Sequence, residues 1–317
     1  MSRLIIVGNG FDIHNGLKTR YSDFKTYLSE ANNDLYDQLK FYYSATWLEQ
    51  ENNQNVIDFY KSIAIFEPLR KQVLSQNPCL WSDLETEISN ISYLAISEYY
   101  WIGTTSIENC GPIIKQFEDM LSAISIELSN WISLVNESPF LTNYSIFAST
   151  FIDNPTFINF NYTQTLEQAY GVDGRNILYI HKQDDNKLIW GTSREAIEGF
   201  YSIHAHRNPD FDKEIKRVIS KYIKPTDNII NTRLLPFLKD KSIDEIVVLG
   251  LSFSDIDLPY LTTIKEMYPS ATWKCSYYSD DDIRRLKSFF RFTDITYSIS
   301  DINSLLVKVN CQTNCNT

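Results

Sequence analysis

Two side chains of complementary chemistry stand at the ends of neighbouring apolar runs. Asn161 closes Thr156-Phe157-Ile158-Asn159-Phe160-Asn161, and His181 closes Ile177-Leu178-Tyr179-Ile180-His181. An imidazole titrates near neutrality and can accept a proton, whereas a carboxamide orients a water or a hydroxyl without titrating. Two further groups sit in the same kind of place. Gly8-Asn9-Gly10-Phe11-Asp12 follows Leu4-Ile5-Ile6-Val7, and glycines at such a turn let backbone N–H groups approach a phosphate. Gly250-Leu251-Ser252-Phe253-Ser254-Asp255-Ile256-Asp257 follows Ile246-Val247-Val248-Leu249 and offers hydroxyls and carboxylates of the kind that hold ribose and phosphate. Each has a plainer alternative. The dinucleotide fingerprint asks for a third glycine where Ile13 stands, so a tight turn explains Gly8 and Gly10 as well. Asn161 can be a buried amide paired with backbone, His181 a satisfied strand-end histidine, and Ser254 or Asp255 a helix cap.

For these groups to meet, the runs that carry them must be parallel neighbours in one sheet. Between Asn161 and Ile177 the apolar spacing turns helical through Thr163, Leu166, Glu167 and Tyr170, until Gly171 and Gly174 break it. Strand, helix and strand within about 30 residues make a right-handed βαβ unit, and ligands bind beyond the carboxyl ends of its strands. Leu4–Val7 and Ile246–Leu249 lack polar alternation, as strands buried on both faces do. Lys187–Trp190, Thr272–Tyr278 and Ile295–Ile299 also read as strands, and Asp280–Arg291 and Asp301–Val309 as helices. The expectation is an open α/β, mostly parallel Rossmann-like sheet of six or seven strands.

A large helical insertion follows the first strand. Amphipathic segments run around Asp34–Leu48, Val56–Leu74, Ser82–Tyr100 and Ile113–Val135, with breaks at Asn77-Pro78, Gly111-Pro112 and Ser138-Pro139. The domains are thus expected as 1–20 with 151–317 for the α/β nucleotide-binding part and 21–150 for the helical subdomain. In the insertion, Trp81-Ser82-Asp83-Leu84-Glu85 has the form of a capping box with Trp81 as its apolar staple. A sharper reading lays the Trp81 ring and the Glu85 carboxylate over the crevice.

Composition excludes some functions. A net charge of −11 argues against nonspecific nucleic-acid binding. The dense acidic run Asp280-Asp281-Asp282 starts a helix more readily than it builds a nuclease metal site. His204 and His206 lack a third ligand, and the five cysteines have no metal-ligand spacing, so no metal is expected. An odd cysteine count suits a reducing compartment. No apolar run reaches the roughly 18 residues of a membrane helix, and no signal peptide is seen, so a cytoplasmic protein without a membrane partner is expected.

Taken together, Gly8–Asp12, Trp81–Glu85, Asn159-Phe160-Asn161-Tyr162-Thr163 with Leu166-Glu167, Ile180-His181 and Gly250–Asp257 resemble the bacteriophage abortive infection family AbiH. That family is in turn distantly similar to the Sir2-type NAD-binding enzymes. The resemblance implies a Sir2-like sheet, NAD as the substrate, and hydrolysis of NAD in antiviral defence. It makes Asn161 and His181 the catalytic candidates and Gly8, Gly10, Asp12 and Ser252 cofactor-site candidates; Asn9, Phe11, Asp255 and Asp257 join them from the same loops. The paired cysteines of a sirtuin zinc module are missing, which argues against deacetylation. Relatives usually carry glycine after the histidine, where this chain has Lys182, so a reshaped loop or a relaxed site is expected there. The second class of function is a catalytically inactive nucleotide-binding sensor of a defence system. Expected partners are a second copy of the chain, a defence-system protein and a phage-derived trigger.

Overall fold

Strand β1, Arg3–Val7, buries all four of its apolar residues completely, as a run without alternation requires. A computed structural model of the chain, describing residues 2–39, 85, 111–138, 147–182, 187–194, 198, 209–306 and 308–309, places this strand inside a six-stranded sheet. Its companions are β3 (Thr156–Asn159), β4 (Ile177–Tyr179), β5 (Glu245–Leu249), β6 (Thr272–Tyr277) and β7 (Tyr297–Asp301), in the order β4-β3-β1-β5-β6-β7. Every pairing in this sheet is parallel. A separate antiparallel pair joins β2, Phe147–Ala148, to β8, Lys308–Val309. The chain builds outward from β1 through β3 to β4, returns to the other side of β1, and builds outward again through β5, β6 and β7. That reversal between β1 and β5 is a topological switch point, where open α/β sheets form a ligand crevice.

Register decides what reaches the crevice. Val7 pairs with Asn159 and Leu249, and Asn159 pairs with Tyr179, so four strands end on one level. The ladder continues a step beyond it, because Gly8 N–H donates to Leu249 O (3.0 Å), Phe160 N–H to Val7 O (2.9 Å) and Ile180 N–H to Asn159 O (2.9 Å). Alternation sends side chains to opposite faces. Leu4, Ile6, Ile158, Phe160, Ile180, Ile246, Val248, Tyr260 and Trp273 share one core; Ile5, Val7, Phe11, Phe157, Leu166, Ile177, Val247 and Leu249 share the other.

Two local expectations need correction. Lys187–Trp190 is no strand of the sheet: Leu188 makes one isolated bridge to Lys182, and Ile189 N–H donates to His181 O (2.8 Å), so the segment folds back over the end of β4. Helix Asp301–Val309 shortens to Ile302–Leu305, because Asp301 belongs to β7 and caps the turn through its carboxylate, and Lys308–Val309 pairs with β2. The polar region before β5 holds the helix Pro209–Ser220 and a continuous helical run, Thr226–Leu238, with a π turn at Ile230–Leu234. Pro236 lacks an N–H, and a wider turn just before it absorbs the missing bond. The run Asp280-Asp281-Asp282 does open a helix, capped by Ser279.

The chain divides into two compact units, Met1–Thr19 with Ile132–Ile189 and Pro225–Thr317, and Arg20–Trp131 with Trp190–Lys224. The first carries the sheet. In the second, the Phe24 ring packs on Trp131 (5.2 Å between centroids), the Tyr27 hydroxyl donates to Glu127 (2.8 Å), and Trp190 Nε1–H donates to Ser125 (2.7 Å). Trp81, His204 and His206 lie outside the described residues. Among the described residues no helix is long and apolar enough to cross a membrane.

Candidate functional site

Asn161 lies just past β3, buried at 6% exposure, and a local network fixes it. Its N–H donates to Asn159 Oδ1 (2.7 Å), an Asx turn that bends the chain across the strand end. Its side-chain Nδ2 donates to Gly8 O (3.0 Å), tying β3's end to the turn after β1. The same amide hydrogen-bonds to the Asp12 carboxylate, which also accepts from the hydroxyls of Thr163 and Thr165. With Nδ2 committed in this way, the atom of Asn161 suited to a ligand is Oδ1, an acceptor for a ribose hydroxyl or a water proton.

Asp12 therefore holds Asn161, Thr163 and Thr165 together. It is 1% exposed, and burial pushes its carboxyl up to about 6, against the opposing pull of Thr163, Thr165 and Asn161. Phe11 is fully buried in the second core with the Tyr170 ring 5.4 Å away. Neither residue lies open to a nucleotide, contrary to the expectation of direct contact; Asp12 orients Asn161, and Phe11 anchors the helix Asn9–His14 to the sheet.

His181 follows β4 at 4% exposure among three rings: Phe160 and Tyr260 stand edge-on to it at 5.6 and 6.3 Å, and Tyr162 lies tilted at 6.0 Å. Its Nε2 lies 3.6 Å from Asp257 Oδ1, and Asp257 Oδ2 accepts the Ser254 hydroxyl at 2.9 Å. Asp257 thus faces the histidine. Ser252 and Asp255 are exposed in the same loop. Behind β4, which is an edge strand, Arg233 Nη2–H from the π turn caps the Tyr179 carbonyl (2.7 Å). Lys182 has an ordinary negative φ, so the position does not need glycine. Its ammonium lies 4.7 Å from the centre of the Tyr179 ring, and burial lowers its pKa, partly offset by Glu167. Tyr179 in turn donates its hydroxyl to Glu167.

The glycines have a packing role. A Cβ at Gly8 would meet Leu251 Cα at 2.7 Å, one at Gly10 would meet Gly250 Cα at 2.8 Å, and one at Gly250, where φ is +68°, would meet Phe11 N at 2.1 Å. Two turns, one after each strand at the switch point, press backbone against backbone. Gly10 N–H donates to Gly250 O (2.8 Å), Phe11 N–H to Gly8 O (2.8 Å), and Gly250 N–H to the buried Ser276 hydroxyl (2.7 Å). Three N–H groups of the first turn, those of Gly8, Gly10 and Phe11, thus have carbonyl partners within the protein. Asn9 is exposed there, with its side chain donating to Thr19 O (3.0 Å).

Glu85 accepts from Lys224 Nζ (2.9 Å), whose side chain is fully buried, and both belong to the second unit. Sequence reasoning singled out Asn161, His181 and the two glycine-bearing turns, and missed Tyr260, Ser276 and Arg233. Nothing in their local patterns marks them, because each acts through a partner distant along the chain. In comparison with known proteins, the family described as bacteriophage abortive infection AbiH matches residues 4–277. No curated protein matches the chain.

Proposed function

The chain belongs to the bacteriophage abortive infection family AbiH, and from that membership we propose that it is a defence effector that hydrolyses NAD between nicotinamide and ribose. The observation that carries the reading is the placement of Asn161 and His181 just beyond two adjacent, level strand ends of a doubly wound sheet, one as an oriented acceptor and one as a base beside a carboxylate. Cleavage needs little more. The bond from ribose C1′ to the nicotinamide nitrogen breaks with its electron pair leaving on nicotinamide, a water oxygen bonds to C1′, and one proton of that water passes to His181 and on to solvent. Asn161 Oδ1 orients the water or a ribose hydroxyl. The aromatic wall of Phe160, Tyr162 and Tyr260 keeps the imidazole out of bulk water.

Phosphate recognition falls to groups other than the Gly8, Gly10 and Phe11 N–H donors, which already have partners. The exposed Asn9 and Ser252 at the switch point are the candidate donors to phosphate, and Asp255 the candidate acceptor from ribose hydroxyls. The same commitment of donors favours a second reading, a sensor that binds a nucleotide without cleaving it. Cells making the protein or its His181→Ala variant distinguish the two when their NAD is measured through phage infection. A fall in NAD with the parent and a steady level with the variant supports the hydrolase; protection from phage with steady NAD in both overturns it.

A further inference from the structure

We propose that Asp257 is the positioning residue of His181, its carboxylate holding the imidazole at Nε2 while the Ser254 hydroxyl holds the carboxylate. The inference rests on the reading of His181 as the proton acceptor. His181 Nε2 and Asp257 Oδ1 are 3.6 Å apart, with side chains 5% and 13% exposed. Ser254 fixes the acid twice, since its hydroxyl donates to Oδ2 (2.9 Å) and its carbonyl accepts the Asp257 N–H (2.9 Å). The loop that delivers the pair is itself pinned. Gly250 and Phe253 both adopt left-handed backbone, with φ of +68° and +53°; the Phe253 ring is 5.3 Å from Phe289, and Gly250 is wedged against Phe11. An aromatic residue held at positive φ is a conformation that the surroundings must enforce, and such strain marks loops whose geometry matters.

A carboxylate at Nε2 favours the tautomer with its proton there. It also stabilises the imidazolium that forms once a proton is accepted. The ionisable groups around His181 come from several elements: Asp257 from the loop after β5, Tyr260 from the helix Leu258–Met267, Tyr162 from the segment after β3, and Lys182 from its own strand end. Both phenols are neutral near pH 7 as free side chains. The Lys182 ammonium is directed to the Tyr179 ring. Asp257 is the carboxylate in this set.

The deciding experiment is an NMR titration of the imidazole signals of the full chain. The chain has four histidines, so loss of one signal in His181→Gln assigns the resonance. In Asp257→Asn the midpoint of His181 is expected to fall by about 1 pH unit, and in Asp257→Glu to return most of the way. Turnover of NAD in Asp257→Asn is expected to drop about 100-fold in kcat with little change in KM. Ser254→Ala, the milder change, is expected to move the midpoint the same way by less, and it decides the matter if Asp257→Asn does not fold. An unmoved His181 midpoint in a folded variant overturns the proposal. Absence of nicotinamide release by the parent is a separate failure, of the hydrolase reading, and the titration still judges Asp257 on its own.

Discussion

Asp12 shows how a residue can matter to a site without lining it. Its carboxyl is buried, collects hydrogen bonds from Thr163, Thr165 and Asn161, and still titrates at about 6, above its ordinary 3.8. A group whose folded-state pKa is raised contributes stability fully below its unfolded value, and the contribution is lost as pH rises through the folded one. The stability of the parent relative to Asp12→Asn is therefore expected to fall by about 2 kcal/mol between pH 4 and pH 7, read from urea denaturation at each pH. A flat difference would show that Asp12 is ionised without penalty. At Lys182 the backbone is unstrained, so Lys182→Gly is expected to lower stability by about 1 kcal/mol in the same assay, and not to relieve the site. The sequence could name Asp12 and Lys182 but not their burial, which depends on chains that pack over them.

Among the elements, the two turns at the switch point carry the tightest constraint. At Gly250 an added Cβ would lie 2.1 Å from Phe11 N and 2.4 Å from Gly10 C, both backbone atoms that cannot rotate away. Gly250→Ala is expected to cost about 3 kcal/mol or more and to abolish NAD turnover, as thermal melts and nicotinamide release would report. Gly171 provides the control: its φ of +63° is nearly the same, but nothing lies within 4 Å, so Gly171→Ala is expected to cost only about 1 kcal/mol. Equal costs at the two positions would mean that the close approach contributes nothing. Runs such as Leu4–Val7 and Ile246–Leu249 were readable as buried parallel strands because they lack polar alternation, and the helical spacing through Leu166 and Tyr170 gave the crossover. Lys187–Trp190 has the same apolar look but ends against Gly191, which adopts a φ of +141° under the Tyr222 carbonyl, a tertiary constraint with no local signature.

For the molecule as a whole, the six-stranded parallel sheet and membership of the AbiH family fit together, since four of the motifs that carry the resemblance, at Gly8–Asp12, Asn159–Thr163, Ile180-His181 and Gly250–Asp257, fall at strand ends of that sheet. The order of the strands was not legible beforehand. It is set by which apolar faces bury one another, whereas the strand ends could be read from glycine, asparagine and histidine following apolar runs. Asp257 was legible as a carboxylate beside the crevice, but its pairing with His181 depends on the path of a loop with two left-handed residues. The proposed activity rests on chemistry at the nicotinamide ribose. The most direct test is the release of nicotinamide and ADP-ribose from NAD by the purified protein, alongside Asn161→Ala and His181→Ala. Release by the parent and by neither variant is the predicted result; NAD left intact by the parent at saturating concentration, or cleaved equally by all three, would contradict it.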